Sequence, residues 1–439
     1  MRRIFSDHAY DYARIENCYW AETVPDSTLM RPALIGAEKA DVAIIGAGFT
    51  GLSAALRLAE SGVKTVVLDA TFPGFGASGR NGGFCCLGGA KASNGMIDRM
   101  HGKPARLEYR QAEVAAVKHV AETLSTHEID AETHSKGETI VSHKAGYPFE
   151  AEAREIEENY GVTPTLHSKS ELETLGMPGP FHGGMTTPIG FGLNPRKYLV
   201  GLLRAAEAAG VTVYGASPVS DISRSGTYAL KTPQGTLEAE QLTLATNGYS
   251  SEDVPPWLAA RYMPSQSSVI VTRELTDAEL AAGWHSDQMS YDSRNLLHYF
   301  RLMPNRRFLF GMRGGLTSSD LSEAAIKRKI RSDFESMFPA WAQVETPHYW
   351  SGMVCLSAGL TPFAGPVPDM PGTYAGFAYH GNGVAMGSYT GALLAEQILG
   401  SQKLLSPKLM QKPPLKFPLG RARRALMLGI YAGAALKDW

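Results

Sequence analysis

Apolar and polar positions along the first hundred residues follow a strand–helix–strand order. Val42–Ile45 is an unbroken apolar run of strand length, Leu52–Glu60 carries apolar residues at helical spacing up to Gly62, and Val63–Leu68 is a second buried strand closed by Asp69. The spacing predicts a βαβ unit. Farther along, Asn194-Pro195 is a helix start, with asparagine at the cap and proline in the first turn, leading through Ala209 and Gly210. Glu108–Ser125 and Glu150–Tyr160 read as amphipathic helices, whereas 262–316 holds extended runs such as SVIVTREL and LLHYFRLMPNRRFLFGMRGG that suit an antiparallel sheet. Gly376 to Gly400 repeats the strand-to-helix logic around Gly381, Asn382 and Gly383.

Composition sharpens this picture through glycine. Of 46 glycines, 17 fall in the windows 46–51, 74–95 and 372–391, and clusters this local mark places where backbone approaches another group closely. The 439 residues suit two or three domains. With 42 basic against 43 acidic residues the net charge is −1, so no global field recruits nucleic acid or an anionic membrane. Cys18, Cys85, Cys86 and Cys355 are too few for a disulfide framework, and neighbouring Cys85 and Cys86 rarely pair, which fits a reducing cytoplasm. The opening MRRIFSDHAYDYARIENCYW lacks the apolar core of a signal peptide. Arg421, Arg423 and Arg424 precede an apolar stretch, Ala425–Leu436, of only 12 residues, too short to span a bilayer. That tail is expected to pack on the protein's own surface or an oligomer partner, with a peripheral membrane contact as the alternative.

The first glycine cluster carries chemistry. Gly46, Gly48 and Gly51 follow the first strand at GxGxxG spacing, and Asp69 lies 23 residues after Gly46. In this context Gly46 permits a tight turn, Gly48 lets backbone meet a pyrophosphate, Gly51 allows close helix–strand packing, and the helix N-terminus stabilises negative charge. Asp69 can accept from an adenosine ribose, which favours NAD or FAD over NADP. GFGASGRNGGF, Gly74 to Phe84, is too glycine-rich for a helix to begin at once and can cover a second large cofactor part.

These segments resemble the FAD-dependent D-amino-acid oxidase superfamily, and within it the γ-glutamylputrescine and iminodiacetate oxidase type. The likeness is carried by Tyr19-Trp20, by Gly76-Ala77-Ser78-Gly79-Arg80-Asn81-Gly82-Gly83 and by Leu244-Ala245-Thr246-Asn247-Gly248. It implies an α/β, doubly wound Rossmann-like FAD domain (40–105, 190–255 and 350–405) interleaved with an α+β substrate domain on an antiparallel sheet (106–189 and 256–349). An N-terminal extension (1–39) and a C-terminal helical extension (406–439) flank them. Gly46, Gly48, Phe49, Thr50 and Gly51 would carry the FAD pyrophosphate, with Asp69 and Ala70 at the adenosine and Val219 at adenine. Ala77, Ser78, Arg80, Asn81, Gly82 and Gly83 would line the passage to the flavin, and Gly381, Asn382, Gly383, Val384 and Ala385 would face its pyrimidine edge. No metal is expected. Covalent attachment through Cys355 is the less favoured alternative to non-covalent FAD.

The resemblance implies hydride transfer from the carbon next to nitrogen of a secondary amine or N-substituted amino acid, hydrolysis of the imine, and reduction of O2 to H2O2. A flavin dehydrogenase serving a quinone or carrier, and a non-catalytic dinucleotide-binding protein, are the other readings. Family cations are missing from their usual places: Met353 and Val354 follow Trp350-Ser351-Gly352, and Asn382 follows His380-Gly381. Strand alternation puts Tyr299 and Arg301 on one face, making Arg301 the expected carboxylate anchor. Tyr262 is placed at substrate by resemblance, and His380 lies beside a flavin segment. Among residues 231–403 no lysine matches an oxygen-activating position.

Overall fold

The computed structural model describes residues 1–11 and 17–438; positions 12–16 of the expected N-terminal extension and 439 of the C-terminal one lie outside the described residues. The predicted βαβ unit forms with longer elements: strand Gly36–Ile45, helix Phe49–Glu60 and strand Thr65–Leu68. The first strand starts early because Gly36–Ala40 pairs in parallel with 235–239. Parallel pairing continues outward on both sides, giving the order Thr212–Tyr214, Thr65–Leu68, Gly36–Ile45, Gly235–Leu244, Thr373–Phe377, with Phe363–Pro366 antiparallel at the edge. Alternation divides the core in two. Val42, Ile44 and Val67 face a cluster containing Leu52, Leu199 and Leu394 from three helices, whereas Ala43, Val66 and Leu68 face one built with Tyr228 and Leu230 of an antiparallel hairpin.

Strand order reverses between Gly36–Ile45 and Gly235–Leu244, and ligands of such sheets bind in the crevice beyond the carboxyl ends of the strands there. Those ends lead into Gly46 and Ala245. The helix expected after Asn194-Pro195 spans Pro195–Ala208, and Asn194 Oδ1 accepts from Arg196 N and Lys197 N, each at 3.1 Å.

A second sheet closes the crevice. Its order is His348–Leu356, Met263–Val271, Phe308–Arg313, His298–Leu302, Met289–Asp292, Glu138–Val141, Gly184–Thr187, Thr165–His167. It is antiparallel apart from the pair Met289–Asp292 with Glu138–Val141. His348–Leu356 pairs along its whole length with Met263–Val271, so position 350, expected to begin a stretch of the first domain, lies inside a strand of the second sheet. The strand–turn–helix of this stretch comes only after Thr373–Phe377.

The C-terminal tail forms helix Arg423–Lys437 and docks on the body. Arg423, fully buried, bonds Glu252 at 2.6 Å and the Tyr262 carbonyl at 2.9 Å. Tyr431 meets Ser265 at 2.8 Å, and the Asp438 carboxylate accepts from Asn295 N and Leu296 N. Among the described residues no helix is long and apolar enough to cross a membrane.

Candidate functional site

A cavity of about 660 Å³ runs from the first sheet's carboxyl edge to the inner face of the second, within the range of small-molecule and cofactor sites. At one end stand the glycine turn and Asp69. Gly46 has φ +105°, and a Cβ there would lie 2.8 Å from Ala245 O; one on Gly51 would lie 1.9 Å from Gly46 O. Gly51 does not line the cavity but lets the helix start sit against the strand end. Ser78 Oγ accepts from Phe49 N at 3.0 Å, tying the second glycine loop to the first amide of the helix, while other amides of that turn lack intrahelical acceptors. Asp69 accepts from Ala47 N at 2.9 Å and Thr71 N at 3.0 Å. Burial raises its carboxyl and these donors oppose the rise. Ala70 and Val219 line the same end.

The 74–84 loop is braced from behind. Trp20 Nε1 donates to Asn81 O at 2.9 Å and Trp350 Nε1 to Arg80 O at 2.7 Å, which gives the Tyr19-Trp20 pair a structural reason. Asn81 Nδ2 bonds Ala77 O and Ser78 O, and its Oδ1 accepts from Gly83 N. Arg80 lies against Phe75, 4.4 Å from the ring centroid, and its Nη2 is buried without a hydrogen-bond partner. Ala77, Ser78, Arg80, Asn81 and Gly82 line the cavity. Gly83 does not: a Cβ there would lie 2.0 Å from Leu193 O and 2.4 Å from Arg301 Nη2.

Gly381, Asn382, Gly383 and Val384 line the far end, with Ala385 opening helix Ala385–Leu399 just behind them. The dipole of this helix N-terminus suits negative charge, although Met386 N and Gly387 N already donate to Asn382 O and Gly383 O. Two glycine-turn helix starts, an acid at the first strand's neighbour and, between them, a buried guanidinium with one nitrogen unpartnered therefore fit an extended dinucleotide such as FAD.

The expected substrate residues divide. Tyr299 lines the cavity and its hydroxyl bonds Ser267 Oγ at 2.9 Å. Arg301 does not line it, a correction to its expected role. Its Nε donates to Gly82 O at 2.9 Å, Nη2 to Leu193 O at 2.7 Å and Nη1 to His134 Nε2 at 2.7 Å. Burial first, then Arg301, push His134 down to about 3, so it stays a neutral acceptor. Burial lowers Arg301 to about 9, still cationic at neutral pH, but its donors are spent on two backbone carbonyls and His134. Tyr262 is also outside the cavity, its hydroxyl donating to Ser250 O at 2.6 Å. His380 sits between Gly89 O and Ser357 N, and burial pushes it down to about 4; it is a structural histidine. Cys355 lies on the cavity wall, its thiol pushed up by burial to about 12, a poor nucleophile.

Sequence reasoning missed the cations that are present. Arg313 and Lys91 line the cavity with Glu138, Cys86 and Tyr291. Arg313 pairs across strands with Ser267, and a Cβ on Gly381 would lie 2.2 Å from its Nη2. Its guanidinium has no ion pair among the described residues. The Arg313 charge and burial push Lys91 down to about 7, while burial raises Glu138 to about 7 against the pull of Cys86, Arg313 and Lys91. Arg313 was visible in principle: the register Tyr299↔Gly311 puts Gly311, and hence Arg313 two residues on, on the face of Tyr299.

A model of the family described as FAD dependent oxidoreductase matches residues 41–397. The probable oxidoreductase OrdL of Rhizobium meliloti (strain 1021) is 34% identical over 428 residues, covering 95% of this chain and 97% of that protein. The gamma-glutamylputrescine oxidoreductase of Escherichia coli (strain K12) is 27% identical over 385 residues, covering 88% and 89%. The crystal structure of iminodiacetate oxidase (IdaA) from Chelativorans sp. BNC1 superposes with a TM-score of 0.68 at 19% identity, covering 84% of this chain and 98% of that one.

Proposed function

The chain belongs to the FAD dependent oxidoreductase family, and on that premise we propose that it oxidises an acidic secondary amine, an N-carboxyalkyl amino acid of the iminodiacetate kind, at the carbon next to nitrogen. It is an FAD-dependent oxidoreductase acting on CH–NH bonds. FAD, when bound, would supply the two-electron acceptor, with O2 as the proposed terminal oxidant giving H2O2. The imine left from the amine adds water and breaks into an aldehyde or oxo acid and a primary amine.

The observation that carries the substrate class is the charge of the cavity's far end, where Arg313 and Lys91 stand with a single carboxylate, Glu138. Two cations and one anion complement a molecule with two carboxylates and one amino group. A γ-glutamylputrescine-like substrate, one carboxylate with two ammonium groups, meets the wrong balance. Arg313 holds one carboxylate, Lys91 the other, and ionised Glu138 accepts from the amine N–H, orienting the C–H that reacts. Tyr299 and Tyr291 flank this end and exclude water from it. A protonated Cys355 supports non-covalent FAD, and four free thiols support a cytoplasmic location.

The test is anaerobic bleaching of the enzyme-bound flavin by iminodiacetate, sarcosine, D-amino acids, polyamines and γ-glutamyl-polyamines, followed by peroxide measurement in air. Dicarboxylate amines should bleach it at the lowest concentrations. Preferential bleaching by γ-glutamylputrescine would overturn the charge argument, and bleaching without peroxide would replace O2 by another acceptor.

A further inference from the structure

The chain's first ten residues reach a cavity that their sequence did not connect with them. Arg3 and Tyr10 line the same space as the glycine turns. The segment is tied to the body at several points: Arg2 N donates to Asp253 Oδ1 at 2.8 Å, Arg2 O accepts from Glu252 N at 2.7 Å, Ser6 Oγ donates to Ser318 O at 2.8 Å, and His8 meets Glu323 at 2.9 Å. Within it the Arg3 guanidinium lies 4.1 Å from the Tyr10 ring centroid, and Tyr10 meets Tyr249 edge-on at 6.2 Å.

Two donors in this stack, Arg3 Nε and Tyr10 Oη, are buried without a hydrogen-bond partner. A buried donor left without an acceptor is costly, and a guanidinium fork matches the oxygens of a phosphate or carboxylate. Neighbouring groups decide between those two. The Tyr249 ring comes within 3.2 Å of a Cβ position on Gly76. Two residues later Ser78 bonds the Phe49 amide, at the helix start where a GxGxxG turn takes phosphates. The cations free to hold a carboxylate, Arg313 and Lys91, belong to other elements, and Arg313 faces Gly381.

We propose that Arg3 and Tyr10 clamp the pyrophosphate of bound FAD, making the N-terminal segment part of the cofactor site. The assignment rests on FAD as the cofactor and is independent of which amine is oxidised. Arg3 supplies the charge-assisted contact and Tyr10 a neutral one, with Tyr249 holding the pair against the glycine loop.

Full-length apoprotein of the wild type, Arg3→Gln and Tyr10→Phe would be titrated with FAD and riboflavin by flavin fluorescence and with ADP by calorimetry, circular dichroism checking the fold. Arg3→Gln should raise the Kd for FAD and for ADP by about ten- to a hundredfold, and Tyr10→Phe by about two- to tenfold. Riboflavin, which lacks phosphate, should bind all three alike. Unchanged FAD affinity in both variants, or equal weakening toward riboflavin, overturns the proposal. A readout on the wild type covers a variant that fails to fold: FAD and ADP should block phenylglyoxal modification of Arg3, read by mass spectrometry, whereas riboflavin should not. Equal modification with and without ADP also overturns it.

Discussion

Two arginines on one sheet face should respond to substitution in opposite ways. Arg313 faces the cavity with no ion pair among the described residues, and its partner is expected to be a substrate carboxylate. Replacing it by methionine keeps much of the side chain's bulk and removes one charge-assisted bond, worth about 1.5–3 kcal/mol. The KM for an acidic amine should rise about ten- to a hundredfold with little change in Tm. Arg301→Met should do the reverse. It strands Gly82 O, Leu193 O and His134 Nε2, which Arg301 holds at 2.9, 2.7 and 2.7 Å. At about 1 kcal/mol or more for each unsatisfied buried acceptor, the loss is about 3 kcal/mol at its lower end. A protein of this size would melt several degrees lower. The assay pairs flavin-reduction kinetics with thermal melting of the same preparations. Arg301→Met raising KM at unchanged Tm, or Arg313→Met leaving KM untouched, would refute the assignment of the two roles.

Gly51→Ala should destabilise the protein by about 1–3 kcal/mol and weaken FAD binding, because its Cβ would meet Gly46 O at 1.9 Å and backbone cannot step aside; normal melting and flavin content would contradict this. A non-oxidisable dicarboxylate should bind holoenzyme more weakly as pH rises through about 7. Lys91 then loses its charge while Glu138 becomes an anion, each about tenfold per pH unit at most. The flavin absorbance shift on binding reports this, Lys91→Met should flatten the dependence, and the apparent midpoints belong to the group of charges rather than to one residue. Arg423→Met leaves the buried Glu252 carboxylate without its cation and should cost about 3–5 kcal/mol. A denaturant midpoint matching the wild type would mean that the tail contributes little to the fold.

What could be read from sequence depended on whether a site was built locally or by long-range register. The pyrophosphate turn is local: strand, Gly46, Gly48, Gly51 and helix occupy one stretch, so each residue's task follows from its neighbours. The substrate end is assembled from distant elements, Lys91 beyond a glycine loop, Glu138 beginning one strand, Tyr291 and Tyr299 on two others, and Arg313 ending a fourth. Period-two alternation placed Tyr299 and Arg301 on a common face correctly, yet alternation says nothing of position along the strand. The pair Arg301↔Leu309 lies two steps from Tyr299↔Gly311 in the same ladder, enough to move a guanidinium from the cavity into the backbone of the Gly82–Gly83 loop. Gly311 then matters as an absence: a Cβ there would lie 2.1 Å from the Tyr299 ring, so the ring can lie across the strand only because that position is bare. Aromatic rings from elsewhere in the chain help bury Arg301, with Trp20 and Phe84 5.7 and 5.9 Å from its guanidinium. Arg313 does not stand out inside its extended run; it ends its strand just before Gly314 and Gly315 and faces the cavity.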